Sequence, residues 1–156
     1  MSYLPLCLNL EGRPVLVIGG GRVALQKCRT LLQYGARVTV VAPKVSAEVH
    51  ALPVEVREEA YAESQLRVAG LVYACTDDKE VNLRVAEDAR SRGILANVAD
   101  DPAHCDFTSP ALYREGFMTV AVSSDARDVS RSVAWRNAIR DAATSGVLPL
   151  PRGGEA

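Results

Sequence analysis

The stretch Val15-Leu16-Val17-Ile18-Gly19-Gly20-Gly21-Arg22-Val23-Ala24 limits what this chain can fold into more than any other. Four apolar residues, three of them β-branched, suit a parallel strand buried on both faces. The glycines that follow remove every Cβ where the chain must turn into a helix. From Gly19 the pattern is G-x-G-x-x-A, the dinucleotide-binding fingerprint with Ala24 as the third small residue. In that fingerprint the first glycine permits a tight turn, the second lets a diphosphate approach the backbone, and the small third residue lets helix and strand pack closely. The free N–H groups of the helix start, carrying about half a positive charge, then face the phosphates.

Glycine-rich turns of this pattern also occur without a nucleotide, so context carries the weight. The turn follows an apolar strand, precedes the helical spacing of Val23, Ala24, Cys28, Leu31 and Leu32, and is followed after Gly35 by a second apolar strand, Val38-Thr39-Val40-Val41. An NAD-specific unit usually places Asp or Glu at the end of that second strand to bond the ribose hydroxyls. Here Ala42, Pro43 and Lys44 stand there instead. Lys44 suits a 2′-phosphate or plain solvent equally, which leaves NAD and NADP open on chemistry alone.

Further along, residues 48–52 suit a short helix, 54–56 a third strand, and 57–65 a loop or short helix. Residues 71–75 read as a fourth strand, running into Thr76-Asp77-Asp78, where α/β sheets place ligand-contacting loops. A helix over 78–92, stopped by Gly93, leads to a fifth strand at 94–98. Such alternation predicts a Rossmann-type α/β fold with a parallel sheet. Beyond residue 100 the pattern changes to a β-hairpin, runs 107–113 and 117–122 joined by Arg114-Glu115-Gly116, and then a helix over 125–143. Residues 4–10 alternate enough for a short strand or an extended arm. The expected organisation is a nucleotide-binding domain over 1–106, a hairpin and helix appendage over 107–145, and a disordered tail over 146–156.

With 156 residues and a net charge of −1, the chain suits one domain with a small appendage and has no global basic field for nucleic acid. Neither a membrane span nor a secretory signal is legible, so a cytoplasmic location is expected. Cys7, Cys28, Cys75 and Cys105 are widely spaced and read as reduced thiols, with no metal site. Just past the fifth strand stands Asn97-Val98-Ala99-Asp100-Asp101-Pro102. A carboxylate there is a candidate general base or partner for a substrate N–H, while Asp-Asp-Pro is equally a turn and helix cap.

The joint order of Gly19 to Ala24 with Lys27, Gly35-Ala36-Arg37-Val38-Thr39-Val40, Ala74-Cys75-Thr76-Asp77-Asp78 with Asn82, Asn97-Val98-Ala99-Asp100, Cys105-Asp106-Phe107 with Pro110-Ala111, and Val120-Ala121-Val122-Ser123-Ser124 resembles the precorrin-2 dehydrogenase family of sirohaem synthesis. The resemblance implies oxidation of the tetrapyrrole precorrin-2 to sirohydrochlorin with NAD, in homodimers whose hairpin and helix exchange contacts. It implies NAD contacts at Gly19, Gly20, Gly21, Arg22, Val23, Pro43, Lys44 and Thr76, and makes Asp100 the essential aspartate. Asn97 and Ser124 fall on its substrate side. Precorrin-2 carries carboxylates, so Arg127 with Arg131, and Arg136 with Arg140, each spaced to share one helix face, are expected to hold it or else to be a solvated face.

After Ser124 the chain departs from the family, with Asp125-Ala126-Arg127-Asp128-Val129-Ser130 in place of a glycine-rich turn. It ends at Ala156, short of the family's helical carboxyl-terminal region, and the expectation is therefore dehydrogenase activity alone, with a separate chelatase taking the product. A bifunctional dehydrogenase and ferrochelatase, a methyltransferase, and a non-enzymatic NAD-sensing module are the competing readings.

Overall fold

The computed structural model describes residues 2–99 and 101–148, which fall into two compact units, one over Leu4–Phe107 and one joining the first residues to those from Thr108 onward. In the first, five short strands form a parallel sheet of order β3-β2-β1-β4-β5. These are β1 (Pro14–Ile18), β2 (Arg37–Val41), β3 (Glu55–Arg57), β4 (Leu71–Ala74) and β5 (Leu95–Val98). Helix α1 (Arg22–Gln33) connects β1 to β2, α2 (Ala47–His50) is a single turn after β2, and α3 (Lys79–Ser91) connects β4 to β5. The strand periodicity sends Val15, Val17, Val38, Val40 and Tyr73 into one core with Ala24, Cys28 and Leu31 of α1. Leu16, Ile18, Val41, Val72 and Ala96 enter a second core with Val85, Ala86 and Ala89 of α3. Burial on both faces, worth about 1.5–3 kcal/mol per large aliphatic side chain, is why β1 and β4 read as unbroken apolar runs.

Because β2 and β4 flank β1 and their connecting helices pack on opposite faces, the strand order reverses beside β1. A crevice at the carboxyl ends of β1 and β4 follows from that topology. The parallel α/β sheet expected from the alternation is present. Of the two forms expected for residues 4–10, the arm is the one present: they form no strand among the described residues, and Leu4 and Leu6 are exposed. Residues 63–68 close as a short 3₁₀ helix, one of the two forms expected there, running three residues past the expected end at 65.

The second unit holds an antiparallel hairpin, β6 (Ala111–Glu115) and β7 (Met118–Val122), and helix α4 (Val129–Thr144). The turn falls on Gly116 and Phe117, with Gly116 at φ 57°, so the strands are offset from the expected 114–116 turn. Helix α4 also begins four residues later than expected. Asp125 and Ala126 adopt left-handed backbone, φ 52° and 58°, which no α-helix accommodates, and Asp128 then caps the helix through Oδ1 on the Arg131 amide at 2.8 Å. Arg136 ties α4 to the hairpin by donating from Nη1 to the Leu112 carbonyl at 2.9 Å. Of the tail over 146–156, the residues from 149 onward lie outside the described residues.

Candidate functional site

Three consecutive glycines at the end of β1 have three different surroundings. Gly19, at φ 125°, lies so close to β4 that a Cβ there would stand 2.5 Å from the Cys75 carbonyl oxygen. A Cβ on Gly20 would stand 2.3 Å from the Lys44 carbonyl oxygen and 2.8 Å from Val45 Cα. A Cβ on Gly21 would meet nothing within 4 Å. The first two glycines thus lock the turn against its neighbours, helped by the Gly19 amide on the Val41 carbonyl and the Ser46 amide on the Gly20 carbonyl, each at 2.9 Å. The third faces open space.

Gly21 is also the N-cap of α1, with no side-chain hydrogen bond to the helix and no acidic residue in its first turn. By contrast α3 and α4 are capped by Asp78 and Asp128. The first amides of an α-helix have no partner within the helix, and at α1 no carboxylate of its own supplies one. Arg22 is exposed and Val23 half-buried beside this edge, while Ala24 is fully buried against the sheet. An open slot over bare amides at the switch point fits the diphosphate of a dinucleotide, because the charge and the space coincide.

The loops around that slot are individually braced. Pro43 and Lys44 are exposed after β2, with the Lys44 backbone pressed on Gly20. Thr76, after β4, is held by Asn82 of α3: the Thr76 amide and hydroxyl both lie on Asn82 Oδ1, at 3.1 and 2.8 Å, and Asn82 Nδ2 donates to the Thr76 carbonyl at 2.9 Å. Asn82 is buried, and it is the residue whose role sequence reasoning passed over. Its spacing of six from Thr76 was the available signal.

The turn after β5 is pinned from several sides. Ala99 donates its amide to the Ala74 carbonyl at 2.8 Å, which fixes the start of this turn at the edge where β4 runs on toward Thr76. Cys105 Sγ lies 3.2 Å from both the amide and the carbonyl of Val98 and 3.3 Å from the Asp101 carbonyl. Asp106 accepts from the Ala96 amide and from Arg90 Nε, each at 3.0 Å. Asn97 is buried, and its Nδ2 donates to the Phe107 carbonyl at 2.9 Å, so its amide braces the turn from below. Asp100 itself lies outside the described residues. Burial pushes the Cys28 thiol up to about 11 and the Cys75 thiol up to about 12, leaving both protonated at neutral pH.

Ser124, Arg127 and Arg131 belong to the second unit. The Ser124 hydroxyl donates to the Asp128 carbonyl at 2.8 Å and accepts from Ser132 at 2.9 Å, stabilising the entry to α4. Arg127 precedes the N-cap, so the helical spacing that would align it with Arg131 does not exist there, and the expected shared face is corrected on that ground. Arg136 and Arg140 both lie in α4, but Arg136 is committed to the Leu112 carbonyl and Arg140 to Asp141 at 3.0 Å.

Residues 6–111 match the family model described as "Putative NAD(P)-binding". The chain belongs to that NAD(P)-binding family. Among its relatives, a siroheme synthase of Ectopseudomonas mendocina (strain ymp) is 46% identical over 126 residues, covering 80% of this chain and 27% of that protein. One of Stutzerimonas stutzeri (strain A1501) is 41% identical over 142 residues, covering 87% of this chain and 30% of that protein. The chain therefore spans less than a third of the length of these relatives. The solved structure of SirC, a precorrin-2 dehydrogenase, superposes with a TM-score of 0.73 at 28% identity, covering 92% of this chain and 71% of that one. This family member thus shares sequence and fold with the sirohaem-synthesis proteins its motifs resemble.

Proposed function

We propose that the chain is a cytoplasmic precorrin-2 dehydrogenase, oxidising precorrin-2 to sirohydrochlorin with NAD and passing the product to a separate chelatase. The observation that carries this reading is the uncapped α1 terminus under open Gly21, on the same sheet edge as the anchored start of the Ala99–Phe107 turn. Sequence likeness to siroheme synthases and fold likeness to SirC support it. NAD, when bound, supplies the hydride acceptor. The α1 amides, with Gly19, Gly20, Gly21, Arg22 and Val23, hold the diphosphate; Pro43 and Lys44 lie toward the adenosine ribose, and Thr76 lies against the cofactor from β4. Asp100 accepts the proton lost with the hydride or bonds the pyrrole nitrogens, and Arg127, Arg131, Asn97 and Ser124 remain the proposed substrate side.

A second copy of the chain completes the assembly in this proposal. Among the described residues from 108 to 148 only Ser132 is buried, while Phe117, Met118, Val129 and Trp135 are exposed. A hairpin and one helix with so little interior need a partner to cover their apolar faces.

The direct test is incubation with precorrin-2 and NAD, following sirohydrochlorin absorbance and NADH together. Equal appearance of both is expected. NAD binding without turnover would instead favour a sensing module, and continued conversion to sirohaem on adding ferrous iron would favour a bifunctional enzyme.

A further inference from the structure

The segment that leaves β2 is held in place residue by residue, with one side chain left over. Ala42 is buried and donates its amide to the Arg57 carbonyl at 3.2 Å. Pro43 has its φ set by its own ring. The Lys44 carbonyl abuts Gly20, Val45 is buried in the core shared with α1, and Ser46 donates its amide to the Gly20 carbonyl at 2.9 Å. Lys44 itself is exposed, and its ammonium has no hydrogen bond or ion pair among the described residues.

Charge around this contact is one-sided. Arg22, two residues beyond Gly20, is exposed and likewise has no ion pair among the described residues, so the Lys44–Gly20 contact carries a cation on each of its two segments. The carboxylates around β3 are engaged by other groups. Glu55 accepts from Arg57 at 2.8 Å and from Thr39 at 3.3 Å, Glu58 lies 2.8 Å from His50, and Glu59 accepts from Gln65 at 2.9 Å. Glu48, in the first turn of α2, is the remaining acid between residues 42 and 59, and no ion pair joins it to Lys44 among the described residues.

In a dinucleotide-binding fold the residues after the second strand decide what the adenosine ribose can carry. A carboxylate there bonds the 2′-hydroxyl and repels a 2′-phosphate, whereas a nearby cation accommodates the phosphate. This chain has no acid at Ala42 or Pro43 and a tethered ammonium at Lys44. On the cofactor reading above, we infer that Lys44 admits a 2′-phosphate, so that the site takes NADP as well as NAD. The missing carboxylate removes the repulsion, and Lys44 adds attraction toward a group of about −1.5 to −2 charge at neutral pH. Because the backbone under Lys44 is already ordered, binding has only the side-chain stem left to immobilise.

The test is calorimetry of the full chain with NAD and with NADP, read as the ratio of NADP affinity to NAD affinity. In the wild type that ratio is no lower than about one third, and a lower one would overturn the inference. Lys44→Gln lowers the ratio about fivefold, as loss of one exposed ion pair does, and Lys44→Glu, which exchanges attraction for repulsion, lowers it about twenty- to thirtyfold. Raising salt from about 0.1 M to about 1 M brings the wild-type ratio toward that of Lys44→Gln. A lysine that only shapes the loop would change both affinities together and leave the ratio where it was, which also overturns the role. Adenosine 2′,5′-bisphosphate and adenosine 3′,5′-bisphosphate, equal in charge, separate a placed phosphate site from general attraction: the 2′ isomer binds about fivefold more tightly, and equal binding would count against the site. Failure at the two levels is distinct, because a chain that binds neither dinucleotide loses the cofactor reading itself, whereas one that binds NAD and refuses NADP loses only the role of Lys44.

Discussion

Substituting the glycines of the β1 turn one at a time separates a structural turn from a phosphate cradle. In Gly21→Ala the added Cβ meets nothing within 4 Å, and the residue's φ of −95° suits any amino acid. The cost to the fold is then the exchange of glycine for alanine at an N-cap, about 1 kcal/mol, or about 2–4 °C in melting temperature for a chain of this size. The same methyl occupies the space over the first α1 amides, where the diphosphate is proposed to lie. Losing one hydrogen bond to a charged group costs about 1.5–3 kcal/mol, so NAD affinity by calorimetry falls about tenfold to 150-fold. Gly20→Ala behaves in the opposite way. Its Cβ would lie 2.3 Å from the Lys44 carbonyl oxygen, and because the obstacle is backbone the cost reaches about 3 kcal/mol, the upper end for overpacking, with melting lowered by about 6–12 °C. Unchanged NAD affinity in a folded Gly21→Ala variant would falsify the cradle, however the neighbouring glycine behaves.

Three other outcomes follow from the geometry. Asn82→Ala strips the Thr76 amide and carbonyl of their partners at 3.1 and 2.9 Å, and costs about 2–4 kcal/mol in chemical denaturation together with weaker NAD binding; an unaltered midpoint would show that water replaces the amide. The native state holds the Cys28 and Cys75 protons up to about 11 and 12, whereas an unfolded thiol releases its proton near 9.0. These two thiols therefore contribute no pH dependence below about pH 9 and an increasing loss of stability above it, approaching about 1.4 kcal/mol per pH unit each, which a Cys28→Ala, Cys75→Ala double variant flattens in thermal melts. Trp135→Glu places a charge on an exposed apolar face of α4 and shifts sedimentation from dimer to monomer at micromolar concentration; a species that already sediments as monomer before substitution would remove the dimer from the proposal.

Strands β1 and β4 were legible because a strand covered on both faces must be apolar at every position, and Val15 to Ile18 or Leu71 to Ala74 admit few other readings. Alternation alone was less informative. Leu4, Leu6 and Leu8 alternate as a strand would, yet pairing also needs a free neighbouring edge, and the sequence of the arm holds no information about that. The start of α4 differs for a related reason: aspartate tolerates left-handed backbone but alanine usually avoids it, so Asp125 followed by Ala126 does not announce the two-residue turn they make. That same turn dissolves the spacing argument for Arg127 with Arg131. Polar braces that reach across the fold leave no periodic trace either. Asp106 binds the amide of Ala96, ten residues back and on the strand before it, and Asn82, in the first turn of α3, closes back on Thr76.

What the sequence did carry about the site lies in how its helices begin. An N-terminus with its own aspartate has already spent its free amides, as α3 does on Asp78 and α4 on Asp128. Helix α1 begins Gly21-Arg22-Val23-Ala24, with neither a capping side chain nor an acid in its first turn, although every free helix start gains from one. Two glycines already suffice to make the turn and pack it against β4 and the Lys44 backbone, so the third is free of both tasks. A helix left without its usual anion, beneath the one glycine that packing does not require, is the arrangement that an anion supplied from outside the chain would complete.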